Sequence, residues 1–293
     1  MLIQAYAKIN LYLAVGGRRP DGYHDIESVM QSVSLADDVT VEATPAAKTN
    51  ITLTMTAPLV PNAASIPTDG RNIACRAAEL FLRRVNMTAD VHIHIEKNIP
   101  VAAGLAGGST DGAAVLSGLN ALMGAPLAAD ELSSLGAQLG ADVPFCLCGG
   151  TALATGIGEI ISPLPAMPEC TILIVRPHEA VSTAEAYKKI DALPQLKTPS
   201  IRDVTDALAR GSVHDIAASA YNVFESVMMP SSEIFRIKDA LSEHGALLSM
   251  MSGSGPSVFG IFADGDTAAR AADHLSLIGY ASVLTAPVSQ KSV

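Results

Sequence analysis

The sequence predicts an α+β protein of two domains, and three observations lead there. The chain has 293 residues, more than one compact domain usually holds. Helix-like and strand-like periodicities succeed one another without strict βαβ alternation. The stretch GIGEIISPLPAMPEC at 156–170 concentrates Gly and Pro near the middle of the pattern. Domains of 1–158 and 159–293 are therefore expected.

The elements follow in order. LIQAYAKINLYLAV at 2–15 reads as strand, and RRPDGYHD at 18–25 carries the Pro-Asp-Gly signal of a turn. Strands are predicted at 37–43 and 50–55, then a loop over 56–70. NIACRAAELFLRRV has apolar residues at helical spacing, with Asn72 placed as N-cap. DVHIHIEKNIP at 90–100 alternates, with Val91, Ile93 and Ile95 on one face and His92, His94 and Glu96 on the other, as a half-buried strand does. Although His92 and His94 have a spacing that suits a metal, an exposed strand face explains them better.

After the small-residue run at 100–114, Val115, Leu116, Leu119, Leu122 and Met123 recur at helical steps. The segment 128–159 reads as a helix ending near Gly140, a tight loop, and a short apolar strand turning at Gly149-Gly150. The second half predicts strands at 171–176, 246–251 and 257–262, and helices near 183–191, 201–210, 213–228 and 231–244. A last helix and strand follow.

Composition excludes several function classes. Apolar residues make up 49% of the chain, without a run long enough to span a bilayer. The start MLIQAYAKIN lacks a secretory pattern, so a cytoplasmic protein with no membrane association is expected. A formal charge of -10 disfavours nucleic acid. Cys75, Cys146, Cys148 and Cys170 form no CxxC pair, and buried free thiols are expected. No obligate protein partner is evident.

One stretch bears chemistry on its face. PVAAGLAGGSTDGAAVL leaves backbone amides uncovered and leads into a helix whose N-terminal dipole end points back at it. Such a junction suits an anion. Taken alone, phosphate cradle and plain connector are evenly matched, since no lysine follows the glycines and neither GxxxxGK[ST] nor GxGxxG is present. Ser109 and Thr110 add hydroxyls able to reach Mg²⁺.

Three separated segments resolve the tie. AKINLYLAVGGRRPDGYHDIESVMQSVSLAD at 7–37, PVAAGLAGGSTDGAA at 100–114 and MSGSGPSVFGIF at 251–262 resemble the three signature motifs of the GHMP small-molecule kinase superfamily. With RPDGYH and LGADVPF at 139–145, the chain is similar to the branch acting on a cytidine-diphosphate-linked methylerythritol in the non-mevalonate route to isoprenoid precursors. The resemblance implies an ATP-dependent kinase using Mg²⁺, with metal ligands left open. It also implies a ribosomal protein S5 domain 2-like N-terminal domain and a ferredoxin-like C-terminal domain, the site in the cleft between them. Homoserine or mevalonate kinases, and a catalytically silent nucleotide binder on the same fold, are the rivals.

Residue by residue, the resemblance makes Asp142 the catalytic base and Lys8 the cation beside the reacting oxygen. Pro100, Val101, Ala102, Ala103, Gly104, Leu105, Ala106, Gly107, Gly108, Ser109 and Thr110 form the ATP loop. Asn72 and Lys97 fall where the family touches adenosine, against plainer readings as a helix cap and a strand-end charge. Tyr23 is implied to stack on the cytosine, His24 to read its edge and Tyr187 to cover its other face, with Asn10 at the substrate. Asp111 is read as serving the helix dipole and turn, and the SGSGP turn at 252–256 as a buttress to the loop. The family most often writes GLGGGSSDAA, so Ala106 and Thr110 depart from it. Alanine costs little there if its φ is negative.

Overall fold

The computed structural model describes residues 1–58, 60, 65–193 and 198–289. Of the loop expected at 56–70, residues 59 and 61–64 lie outside the described residues. The chain opens with two long strands, β1 (Leu2–Arg18) and β2 (His24–Pro45). The turn between them follows from its residues: Gly22 has φ +89, and Asp21 Oδ1 accepts from the Tyr23 amide at 3.1 Å. β2 begins well before the strand expected at 37–43, because residues 28–33 are buried on both faces and so show no alternation.

The chain divides into two compact units, each discontinuous in sequence because β1 and β2 run through both. The first comprises 1–7, 36–101 and 106–148. In it β3 (Asn50–Thr56) runs parallel to β4 (Ala89–Glu96), and β4 pairs antiparallel with β2 from Asp38↔Glu96 to Pro45↔Ala89. The alternation of β4 holds: Val91, Ile93 and Ile95 are buried. On the opposite face His92 and His94 bond Thr52 and Thr54 at 2.6 and 2.9 Å. Helices α1 (Ile73–Arg84), α2 (Gly107–Leu122), α3 (Ala129–Leu139) and α4 (Val143–Cys148) share one core, with Phe81, Leu82, Val115, Leu116, Leu119 and Val143 fully or almost fully buried. Each such side chain stabilises by about 1.5–3 kcal/mol. The residues between Gly140 and Gly149 were expected as a tight loop leading into a short strand, whereas 143–148 are helical. Six residues cannot be told apart by periodicity, and these form helix α4.

The second unit comprises 8–35, 102–105 and 149–293. Here β5 (Thr151–Thr155) pairs antiparallel with β2 at Ser28↔Ala154, and β6 (Ile160–Pro163) pairs with β5 inside the Gly/Pro-rich stretch where no strand was expected. A second sheet comprises β7 (Thr171–Arg176), β9 (Leu248–Met251), β10 (Val258–Phe262) and β11 (Ala281–Thr285) in the order β11-β7-β10-β9, every pair antiparallel. Helices α8 (Glu233–Glu243) and α9 (Gly265–Leu277) pack on it, as a ferredoxin-like domain requires. Before them come α5 (Thr183–Asp191), α6 (Ile201–Arg210) and α7 (Val213–Ser219).

The helix expected over 213–228 stops at Ser219. Tyr221–Asn222 leave it as β8, parallel to β1 at Tyr12 and Leu13, and Asn222 caps a 3-10 turn over Val223–Val227. The far end of this unit returns to β2. Thr285 Oγ1 accepts from the Leu35 amide at 2.8 Å, Pro287 bridges Val33, and the Val288 amide donates to Ser32 O at 2.9 Å. Among the described residues no helix is long and apolar enough to cross a membrane.

Candidate active site

The loop at 100–110 is shaped by left-handed backbone at three positions. Ala102, Gly104 and Ala106 have φ of +52, +77 and +58. Ala106 is also the N-cap of α2, with no side-chain cap and no acidic residue in the first turn, so the first amides and the positive dipole end are left to a ligand. The condition under which alanine would be cheap fails here. A Cβ in this conformation costs roughly 1–2 kcal/mol, where the family's glycine costs nothing.

The turn at 252–257 buttresses the loop, as expected. Ser252 Oγ donates to Gly104 O at 2.9 Å and the Ser257 amide to Ala103 O at 3.3 Å. A Cβ on Gly104 would sit 2.2 Å from Ser252 O, so only glycine fits.

Beneath the start of α2 lies an arrangement the sequence did not announce. Lys97 is 3% exposed, and its Nζ donates to Asp37 Oδ2 at 2.5 Å and to Asp111 Oδ2 at 2.8 Å. It is therefore no strand-end charge. Asp37, fully buried, also accepts from the Asn98 and Ile99 amides at 2.6 and 2.8 Å. A side chain at Gly107 would meet Lys97 Nζ at 3.3 Å and Ile99 Cγ2 at 3.0 Å, which places the ammonium directly under the loop.

Asp111 is not the dipole-serving residue expected. It lies past the first turn of α2, buried, with Oδ1 lacking any partner among the described residues. Burial, then the nearby Asp37, push its carboxyl up to about 8 against the pull of Lys97. Burial alone would lower the Lys97 ammonium, and the two carboxylates outweigh it, so Lys97 is raised. Lys97 thus stays charged while Asp111 keeps a proton.

Lys8 is the contrasting cation. On β1 it is 5% exposed, and its Nζ donates to Asn10 Oδ1 at 2.7 Å. Asn10 Nδ2 donates to Ser28 Oγ at 2.8 Å, and Ser28 Oγ to Tyr12 O at 2.7 Å. This relay fixes Asn10 as the neutral acceptor for the ammonium, a role the sequence reading did not give it. Within the second unit, no described carboxylate pairs with Lys8.

Asp142 belongs to the first unit and immediately precedes α4, its carbonyl accepting from the Cys146 amide at 3.1 Å. It is half-buried, and its carboxylate has no partner among the described residues of that unit. Asn72 caps α1, its Oδ1 accepting from the Ala74 amide at 2.9 Å while Nδ2 donates to Pro67 O at 2.8 Å.

The expected base-reading residues are brought together in part. His24 is buried and stacks on Tyr187 with ring centroids 5.0 Å apart and planes at 22°, and Tyr187 meets Phe224 edge to face. His24 Nε2 lies 2.7 Å from Asp191 Oδ1 at the end of α5, a partner without any signal in the sequence. Tyr23 is 61% exposed in the turn before β2. No base fits between His24 and Tyr187, which already touch. Their spacing is that of an offset stack.

Comparison with known proteins decides the family. The model described as GHMP kinases N terminal domain matches residues 72–150, and that described as GHMP kinases C terminal matches 196–281. A 4-diphosphocytidyl-2-C-methyl-D-erythritol kinase of Caldicellulosiruptor saccharolyticus is 44% identical over 286 residues, covering 97% of this chain and 96% of its own. The chain belongs to the GHMP kinases.

Another protein of that name, from a Synechococcus strain, is 46% identical over 282 residues, covering 92% of this chain and 88% of its own. A crystal structure of 4-(cytidine 5'-diphospho)-2C-methyl-D-erythritol kinase superposes with a TM-score of 0.78 at 34% identity, covering 98% and 99% of the two chains. The mevalonate kinase of L. major superposes at 0.74 with 15% identity over 100% of this chain and 97% of its own, a likeness of fold alone. As a GHMP kinase, this chain is an ATP-dependent small-molecule kinase.

Proposed function

We propose that this chain transfers the γ-phosphoryl group of ATP to the 2-hydroxyl of 4-diphosphocytidyl-2-C-methyl-D-erythritol, in the cytoplasm, on the non-mevalonate route to isoprenoid precursors. The observation that carries the substrate is identity of 42–46%, over at least 90% of this chain, with kinases named for it. Residues 1–158 hold the ATP loop and 159–293 the second GHMP domain.

The first turn of α2 and the loop from Pro100 to Thr110 take the triphosphate, whose charge the uncapped amides and helix dipole favour. Asn72 and Lys97 stand at the adenosine side. Since both side chains are already engaged, their contribution there is backbone and shape. Asp142 takes the proton of the 2-hydroxyl as its oxygen forms a bond to the γ-phosphorus and the bond from that phosphorus to ADP breaks. Transfer is direct, with no phospho-enzyme. Lys8, whose ammonium has only a neutral amide within its unit, steadies negative charge at the reacting oxygens.

The donor set suits Mg²⁺ carried mainly by the nucleotide. Among the described residues no group of three or more His, Cys, Asp or Glu is placed to hold a metal, and Asp111 is tied to Lys97. The hydroxyls of Ser109 and Thr110 are hard oxygen donors that would hold the ion alongside phosphate oxygens and water. When bound, Mg²⁺ neutralises charge on the transferring phosphoryl group. Tyr23 and Tyr187 hold the cytosine, His24 reads its edge, and Asn10 acts on the substrate through Lys8.

The deciding assay incubates the protein with ATP, Mg²⁺ and the cytidylylated methylerythritol and looks for the 2-phosphate by mass spectrometry. Product is expected from the wild type. Its absence, or equal turnover by Asp142→Asn, would overturn the reading.

A further inference from the structure

We infer that Asp191 is a specificity-determining residue: by holding the hydrogen of His24 on Nε2, it leaves Nδ1 as a pure acceptor, which selects a pyrimidine bearing an exocyclic amino group over one bearing a keto group. The inference rests on the reading of His24 as the residue that meets the base.

Asp191 Oδ1 is 2.7 Å from His24 Nε2, the length of a strong charge-assisted hydrogen bond. An ionised carboxylate only accepts, so the imidazole must donate from Nε2, and a neutral ring then carries no hydrogen on Nδ1. Nδ1 has no partner among the described residues. The ring itself is held against rotation by burial and by the stack on Tyr187. His24 stacks on Tyr187 with planes 22° apart, so a base that the proposed function lays on that same side of Tyr187 shares the layer of His24, and the two meet edge to edge.

In that layer an amino group donates to Nδ1, whereas a keto oxygen meets a lone pair and leaves two acceptors facing one another, the costly mismatch of a desolvated site. The position of Asp191 is itself telling. A carboxylate in the last turn of α5 opposes the helix dipole, so local helix stability gives no reason for it.

The test has two independent readouts at pH 8. Nitrogen NMR of the free protein reports the His24 tautomer. Calorimetry reports binding of the cytidine-linked substrate and of its uridine counterpart. Wild type is expected to carry the hydrogen on Nε2 and to favour the cytidine compound. In Asp191→Asn, whose amide also donates, the tautomers are expected to mix and the preference to fall roughly tenfold or more. Asp191→Glu is expected to restore both. The Asp191 side chain is 39% exposed, so these variants fold. An unchanged tautomer in Asp191→Asn, or a changed tautomer with the preference intact, overturns the inference while leaving the base reading standing. No preference in the wild type overturns the base reading and this inference with it.

Discussion

Lys8 and Lys97 are buried to nearly the same depth, 5% and 3% exposed, yet one faces a neutral amide and the other two carboxylates. The difference separates a cation with spare charge from one whose charge is consumed inside the fold. Burial by itself says little about function. What decides is whether the atoms the protein supplies already balance the ion. Lys97 ties α2 to the segment after β4, whereas Lys8 bonds the neutral Asn10 and pairs with no carboxylate among the described residues of its unit.

The sharpest way to break this contrast is to remove each ion in turn. Lys8→Met should lower kcat roughly 10²–10⁴-fold at only a modest cost in melting temperature, since no buried charge loses its counter-ion and only Asn10 Oδ1 is left without its donor. A steady-state assay beside a thermal melt checks it, and a collapse in stability would contradict it. Asp142→Asn should show a loss of the same order with nucleotide binding retained. Lys97→Met should do the reverse, costing about 3–5 kcal/mol in denaturant unfolding because the buried Asp37 loses its counter-ion and Asp111 its donor. A variant as stable as wild type would mean that the carboxylates do not depend on it.

A smaller effect sharpens the charge state of the triad. Asp111 holds its proton in the folded chain up to about 8, against an ordinary value of 3.8. The folded state therefore binds the extra proton between those values. This contribution is complete at low pH and lost as pH rises through about 8. Asp111→Asn should flatten that descent in a plot of melting temperature against pH, and superimposable curves would sink the assignment. The smallest effect is Ala106→Gly. It relieves left-handed strain of about 1–2 kcal/mol and gives back about 0.4–1 kcal/mol in unfolded-state entropy, so a gain between about 0 and 1.6 kcal/mol is expected by denaturant titration.

How much of this was legible in the sequence can be judged from particular residues. The strand–loop–helix around the glycines, the cap at Asn72 and the two faces of β4 follow from local periodicity and side-chain chemistry, and they appear as read. Residues 143–148 and 220–228 were misread because their conformation depends on distant partners, such as the β1 residues that draw Tyr221–Asn222 into a parallel pair. The site divides in the same way. Motifs point to Lys8, His24 and the loop, whereas Asp37 and Asp191 are 60 and 167 positions from the residues they govern. The sign of φ at Ala106 is likewise set by the fold around the loop.

The return of residues 281–288 to β2 has a consequence for synthesis. Synthesis runs from the N-terminal side, so the stretch 24–35 emerges long before its last partners, Thr285, Pro287 and Val288. Passing between units at 7/8, 35/36, 101/102, 105/106 and 148/149, the chain offers no early point at which the second unit can close. A nascent chain halted before residue 285 leaves β2 with unpaired backbone groups, the kind of exposed strand that recruits chaperones and aggregates. Completion of β2 thus waits on residues 285–288.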